Sequence, residues 1–361
     1  MTSFNWKAVA AAIVLGAALA PVYATCAEIA DVLDTPAQMS PLASKSLLQA
    51  VARAGPSLVA VGQRGHIVVS SDGGATWKQA SVPVSSDLTA VFFVGDRKGW
   101  AVGHDGVVLF SSDGGLTWTL QLEGRKANER LVEYMQVRAT ASPQSADTKQ
   151  LLEEARRYKD QGPDKPFLDV WFADENNGYV VGAYNLIFRT SDGGKNWEPW
   201  FDQTDNPKLL NLYAIRPAAG GLYIAGESGL VLKLDPDAQR FKALTTPYKG
   251  SFFGVVGDAS AVLVFGLRGN VYRSDDGGKS WAKVDAELPA TIASGASLPK
   301  DVIILGDVGG RLALSDNAGR DFKPATVSNP MPLAGIADAG NGRVALVGPR
   351  GVAVAELAVP K

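Results

Sequence analysis

Residues 100–118 read WAVGHDGVVLFSSDGGLTW, and residues 59–77 read VAVGQRGHIVVSSDGGATW. Both run in one order: an apolar stretch ending in glycine, a short polar turn, a second apolar stretch, then Ser-Asp-Gly-Gly and a tryptophan. Asp-Gly favours hairpin turns whose residues need positive φ, and the aspartate can accept hydrogen bonds from turn amides. Further copies stand at 179–197 (YVVGAYNLIFRTSDGGKNW), 223–241 (YIAGESGLVLKLDPDAQRF), 263–281 (LVFGLRGNVYRSDDGGKSW), 303–322 (IILGDVGGRLALSDNAGRDF) and 344–357 (VALVGPRGVAVAEL). The shared glycines, Gly62, Gly103, Gly182, Gly226, Gly266, Gly306 and Gly348, recur at steps of 40 to 44 residues, apart from one step of 79.

A period near 40 holds four average strands with their turns, the size of one propeller blade. Polar and apolar residues alternate in twos, as strands do, and this sets aside helical solenoids of similar period. The reading is all-β: a single seven-bladed β-propeller over 28–361, with hairpins at the repeated turns. Each unit divides into strands A to D; in the third, A is 166–174, B is 178–183, C is 186–192 and D is 196–201. The tryptophan that opens strand D is large enough to fill the gap between blades. The seventh unit stops before its turn, so residues 28–43 are expected to pair with the last blade and close the ring, removing two exposed sheet edges.

The hairpins resemble the Asp box of the bacterial neuraminidase repeat, with Asp72 and Trp77, Asp113 and Trp118, Asp192 and Trp197, and Asp276 and Trp281 in its key places. Residues 234–241 and 315–322 keep the aromatic end but lose the paired glycines. These boxes are expected to be structural.

The double step contains residues 121–165, which carry no second copy of the signature. Leu131, Tyr134 and Met135, then Leu151, Leu152, Ala155 and Tyr158, fall at helical spacing, SPQS (142–145) reads as a turn, and Asp147 with Gln150 forms a capping box. The spacing predicts a helical hairpin between blades two and three. In an antiparallel blade the D-to-A connection and the B-to-C turn emerge at one end, so this insertion shares a face with the B–C turns. Those turns carry Arg64, His104 with Asp105, Tyr184, Glu227, Arg268, Asp307 and Arg350. Blade seven closes against blade one, so Arg350, Arg64 and His104 should form an arc ending at the insertion. Arg64, His104, Asp105, Tyr184, Arg268 and Arg350 are the expected partner-binding residues.

Residues 1–27 read as a signal peptide: Lys7 supplies positive charge, Ala8–Ala20 is an apolar core, and cleavage falls near Ala24 or Ala27. A periplasmic location follows. The one cysteine, Cys26, leaves no internal disulfide. The formal net charge of -2 argues against nucleic-acid binding. Two histidines, His66 and His104, fall in different blades, and sequence motifs for metalloproteases, serine hydrolases, paired cysteines or phosphate loops are absent. No catalytic residue, metal or cofactor is expected. A sialidase-like glycosidase is the alternative, because acidic pairs abound, as is a carbohydrate-binding propeller; yet the nearest stretch to a sialidase Arg-Ile-Pro is Ile215-Arg216-Pro217, in altered order.

The unit as a whole, in VFFVGDRKGWAVGHDGVVLFSSDGGLTW (91–118) and VWFADENNGYVVGAYNLIFRTSDGGKNW (170–197), resembles the photosystem II stability and assembly factor family of seven-bladed propellers. The resemblance implies a non-catalytic scaffold, monomeric outside its complex, that holds an inner-membrane protein on its exported side through an arginine-bearing face. Members in phototrophs bind a precursor reaction-centre subunit. The DTPA segment and the blade-two insertion look like a heterotrophic proteobacterial branch, which suggests a transporter of the resistance-nodulation-division type as partner.

Overall fold

In the computed structural model, which describes residues 30–358, the repeats become seven antiparallel sheets in sequence order: 48–79, 88–122, 167–199, 212–244, 252–284, 292–325 and 335–356. Six have four strands and the last has three among the described residues. Each strand A packs beside strand A of the next blade, and that of blade seven packs beside that of blade one, so the ring closes. The expected signal peptide lies outside the described residues.

Strand B explains why the pattern is less alternating than a half-exposed sheet requires. In blade one, Val59 and Val61 face blade two while Leu58 and Ala60 face blade seven, and all four are buried. A strand covered on both faces has no polar side, so it reads as a continuous apolar run. The glycine that ends it has a steric cause. A Cβ on Gly103 would lie 2.2 Å from the carbonyl oxygen of Asp87, where the register of strands A and B shifts by one residue.

The Asp boxes are wired alike. Asp113 accepts from the Ser111 hydroxyl (2.8 Å), the amides of Leu116 and Thr117 (3.0 Å each) and the Thr117 hydroxyl (2.6 Å). The worn hairpin of blade six keeps this scheme with Asn317 in the aspartate's place: it bonds Ser315, the amides of Arg320 and Asp321, and the Asp321 carboxylate. Tryptophans from these hairpins lie in the junctions between blades. Trp118 is 5% exposed, meets Phe93 edge-on at 6.0 Å and donates from Nε1 to the Gly115 carbonyl at 2.8 Å. Trp197 packs between blades two and three, edge-on to Phe172.

Residues 30–43 do not supply a strand to the last blade. The Ala37 amide donates to the Val82 carbonyl (3.1 Å) and the Ser85 amide to Val32 (2.9 Å), so this segment follows the chain that leaves blade one. Closure comes instead from side chains. Leu48, Val51 and Val68 pack with Ala345 and Val347, Arg53 pairs with Asp338 at 2.8 Å, and Gly74, at φ +93°, sits so close to Val354 that a Cβ would come within 2.2 Å.

The insertion forms two helices, α1 (Gly124–Ala141) and α2 (Ala146–Gln161). α1 begins earlier than its apolar spacing implies because the Glu123 carboxylate caps it, accepting from the amides of Arg125 and Lys126. The cap of α2 is Ser145, bonded to the Thr148 amide, not the expected Asp147 and Gln150 pair; Asp147 lies inside the first turn. Leu131, Met135, Leu152, Ala155 and Tyr158 are buried against blades two and three.

Two outcomes follow. Trp118→Ala removes a buried indole that bridges two sheets and should cost about 3–5 kcal/mol in urea unfolding; a loss below about 1 kcal/mol contradicts the wedge. Asp72 is held down to about 2 by the Thr76 hydroxyl, then by the Thr76 amide and the Ser70 hydroxyl, and Asp276 is lowered by Ser280 and Ser274 in the same way. A lowered folded-state pKa gives stability that is present above the unfolded value, 3.8, and is lost as pH falls toward about 2. The double variant D72N/D276N should therefore show a shallower fall in Tm over that acidic interval than the wild-type chain, and an equal slope contradicts the assignment.

Candidate functional site

Five B–C turns hold a non-glycine residue in the left-handed region: Arg64 (φ 56°), Asp105 (57°), Tyr184 (53°), Ser228 (55°) and Arg268 (58°). This conformation costs an L-residue about 1–2 kcal/mol, so its repetition needs support. At three of the five the support comes from the next blade. The Arg64 amide donates to the Asp87 carboxylate (2.7 Å), the Tyr184 amide to the Asn211 side chain (2.9 Å), and the Arg268 amide to the Thr291 hydroxyl (3.3 Å). The same residues accept through their carbonyls from His104, Glu227 and Val308 of the following turn. Each clamping residue stands just before an inner strand, so the turns are tied across three junctions: blade one to two, three to four and five to six. Periodicity did not disclose it, although a polar residue recurring ahead of strand A is its sequence trace.

Arg64, His104, Tyr184, Arg268 and Arg350 are exposed, and Asp105 is half-buried. Ring order sets the turns of Arg350, Arg64 and His104 in succession. His104 is one position earlier in its turn than Arg64, whose counterpart is Asp105. Two other turn residues differ from expectation. Asp307 is buried and accepts from the amides of Gly309 and Arg311, both at 2.9 Å, because this turn is one residue longer and needs an internal staple. Glu227 is half-buried and accepts from the Asn211 amide, leaving Ser228 at the left-handed position.

The insertion reaches this rim. Tyr158 donates from its hydroxyl to the Tyr184 carbonyl (3.1 Å), and the Lys165 ammonium lies 4.7 Å from the Tyr158 ring and 6.0 Å from the Tyr184 ring. Arg125 pairs with Glu123 (3.1 Å) and with Asp34 of the N-terminal segment (3.0 Å). The arc therefore carries carboxylates among its arginines. His66 is buried with Nδ1 3.1 Å from the Ser46 hydroxyl, and burial lowers its pKa; it belongs to the framework.

The central channel holds a pair that the sequence reading did not pick out. Arg216 donates from Nη1 to Asp169 (2.6 Å) and to the carbonyls of Ile215 (2.6 Å) and Val170 (3.3 Å), and its guanidinium lies 5.9 Å from the Phe92 ring. Asp169 also accepts from the Ile215 amide at 2.8 Å. Burial pushes this carboxyl upward, against the opposing pull of Arg216. The pair stitches blade three to blade four, which gives the Ile215-Arg216-Pro217 stretch a structural role. Among the described residues no cluster of His, Cys, Asp and Glu is arranged to hold a metal.

The family described as photosynthesis system II assembly factor YCF48 matches residues 33–132 and 155–331, and its gap falls within the helical hairpin. The photosystem II assembly lipoprotein Ycf48 of Synechococcus sp. (strain CC9902) is 31% identical over 133 residues, which cover 36% of this chain and 38% of that protein. Its counterpart in a strain of Prochlorococcus marinus is 31% identical over 132 residues, with the same shares. The aligned stretch thus spans well under half of these relatives. Among solved structures, YCF48 bound to D1 peptide superposes with a TM-score of 0.60 at 15% identity, covering 87% of this chain and 94% of that one. YCF48 from Cyanidioschyzon merolae gives 0.59 at 17%, covering 89% and 98%. These likenesses extend the agreement in fold, and the family match, which takes in well over half of the chain, establishes that this protein belongs to the photosynthesis system II assembly factor YCF48 family.

Proposed function

We propose that this protein is a non-catalytic scaffold, exported from the cytoplasm, that holds a membrane-protein partner through the rim bearing the B–C turns. The observation that carries the reading is the belt of left-handed turns. Five residues in the left-handed region, three of them with amides clamped by the next blade, present their side chains from this rim, and such preorganisation lowers the entropy lost on binding. Three turn positions offer guanidinium groups, Arg64, Arg268 and Arg350, which suit carboxylates on a partner segment. Family membership supports a protein partner, since one member's structure is described as bound to D1 peptide. Two relatives are named lipoproteins, which supports export.

The finer reading is a periplasmic location, with a mature chain beginning after Ala24 or Ala27, and an inner-membrane transporter of the resistance-nodulation-division type as partner. The chain is a monomer outside that complex. His104, Asp105 and Tyr184 extend the arc toward the insertion and supply polar and aromatic contacts.

Photo-crosslinking residues placed at 64, 268 or 350 should each join the chain to the same membrane protein in native envelopes, whereas one at exposed Leu116, in the Asp-box hairpin at the other end of blade two, should not. The double variant R64E/R350E should lose that adduct while keeping its stability within about 1 kcal/mol, as exposed sites do. Equal crosslinking from position 116, or an undiminished adduct in the double variant, overturns the assignment of the rim.

A further inference from the structure

Six of the seven junctions between blades contain an aromatic side chain from the C–D hairpin. Trp77 lies between blades seven and one, Trp118 between one and two, and Trp197 between two and three. Phe241, Trp281 and Phe322 fill the next three. The junction of blades six and seven differs. Its cluster, built on Ile304, Leu312, Met331, Leu333, Ile336 and Leu346, has no aromatic member, and blade seven has no fourth strand among the described residues. A cleft of about 550 Å³ opens there, walled by Leu298, Val302, Leu314 and Leu357.

The wall of this cleft is also different in kind. In blades three, four and five, the residue just before the first box position (Thr190, Leu234 and Ser274) reaches across to the next blade's hairpin. Arg189 donates to the Gln239 side chain (3.1 Å), Lys233 to the Gly277 carbonyl (3.3 Å) and Arg273 to the Ala318 carbonyl (2.8 Å). In blade six the same position is Leu314, half-buried. A polar grip on a turn has been replaced by an apolar surface. Beside it, among the described residues, strand Gly351–Glu356 pairs with strand Arg343–Gly348 on one side only. The chain then crosses to blade six, where Ala358 pairs with Thr326, and leaves the outer edge of that strand as a template for another strand.

We propose that the junction of blades six and seven is a docking site for an extended segment of a partner protein, which adds the fourth strand to blade seven and lays one aromatic side chain in the cleft. Strand addition of this kind takes affinity from main-chain hydrogen bonds and specificity from the side-chain pocket. The six filled junctions give the occupant's chemistry directly: a short strand led by Trp or Phe. Charge refines it. Asp338 is already paired with Arg53, so the rim sets Lys300, Lys323 and Arg343 against Asp316 and Asp321, and neutral or acidic neighbours of the aromatic residue fit better than basic ones. The site lies at the end of the ring that carries the A–B and C–D turns, opposite the B–C rim, and does not depend on that rim's function.

The probe is a dye-labelled peptide of this chain's own residues 114–122, GGLTWTLQL, titrated with the full chain and followed by fluorescence anisotropy. Saturable binding is expected. It should weaken about tenfold or more when the peptide's tryptophan becomes alanine, the scale of an anchor residue, and likewise in the Leu314→Arg protein, whose blade accepts arginine at this position as blades three and five do. The R64E/R350E protein should bind the peptide as the wild type does. Absence of saturable binding, or binding indifferent to both changes, overturns the proposal. A photo-crosslinker at position 314 should join the peptide; an adduct instead to residues 1–29 or 359–361 of the same chain, or to a second copy, overturns it, because the chain then fills the cleft itself.

Discussion

Between blades one and two, the Trp118 indole lies edge-on to Phe93 and donates its one N–H to the Gly115 carbonyl of its own hairpin. Both rings belong to blade two, and together they pack against Val59, Val61 and Ile67 of blade one in a single buried cluster. Each blade is too thin to bury itself, since both faces of its second strand are apolar, and it becomes stable only between two neighbours. The aromatic residue that opens strand D supplies the missing bulk, while the box aspartate fixes the hairpin so that the ring points inward. Repetition of eight residues thus acts as a repeated solution to one packing constraint.

A ring held in this way leaves its turns little freedom. The amide of Arg64 is bound to Asp87, that of Tyr184 to Asn211 and that of Arg268 to Thr291, so side chains at the rim are set by the neighbouring blade as much as by their own. The helical hairpin is joined to the same rim through Tyr158 and Tyr184. Variation in turn residues can therefore alter recognition at little cost to the fold, whereas the box residues and wedges cannot vary without consequence. Asn317 shows the permitted range: an amide oxygen serves where the carboxylate stood, provided Asp321 accepts from its nitrogen.

Much of this was legible in the sequence, because the repeat reports packing directly. The spacing of Gly62 to Gly348 gave the number of blades, and Leu131, Met135, Leu152 and Tyr158 marked the helices of the insertion. What was not legible depended on residues distant in the chain. The path of residues 30–43 is decided by hydrogen bonds to Val82 and Ser85, which no local pattern announces. The Asp169 and Arg216 pair joins two strands some way apart in sequence. Asp307 stands in a B–C turn like the rim residues, but one extra residue in that turn draws it inward. At the rim, the residue types could be read, but the left-handed backbone and its clamps could not.

The contiguity of the rim rests on blade seven lying against blade one. Spin labels at positions 64, 184 and 350, measured pairwise by double electron–electron resonance, test it directly. Neighbouring blades should give a shorter 64-to-350 distance than 64-to-184, which spans an intervening blade. A 64-to-350 distance longer than the 64-to-184 one would contradict the closed ring and, with it, the arc of Arg350, Arg64 and His104.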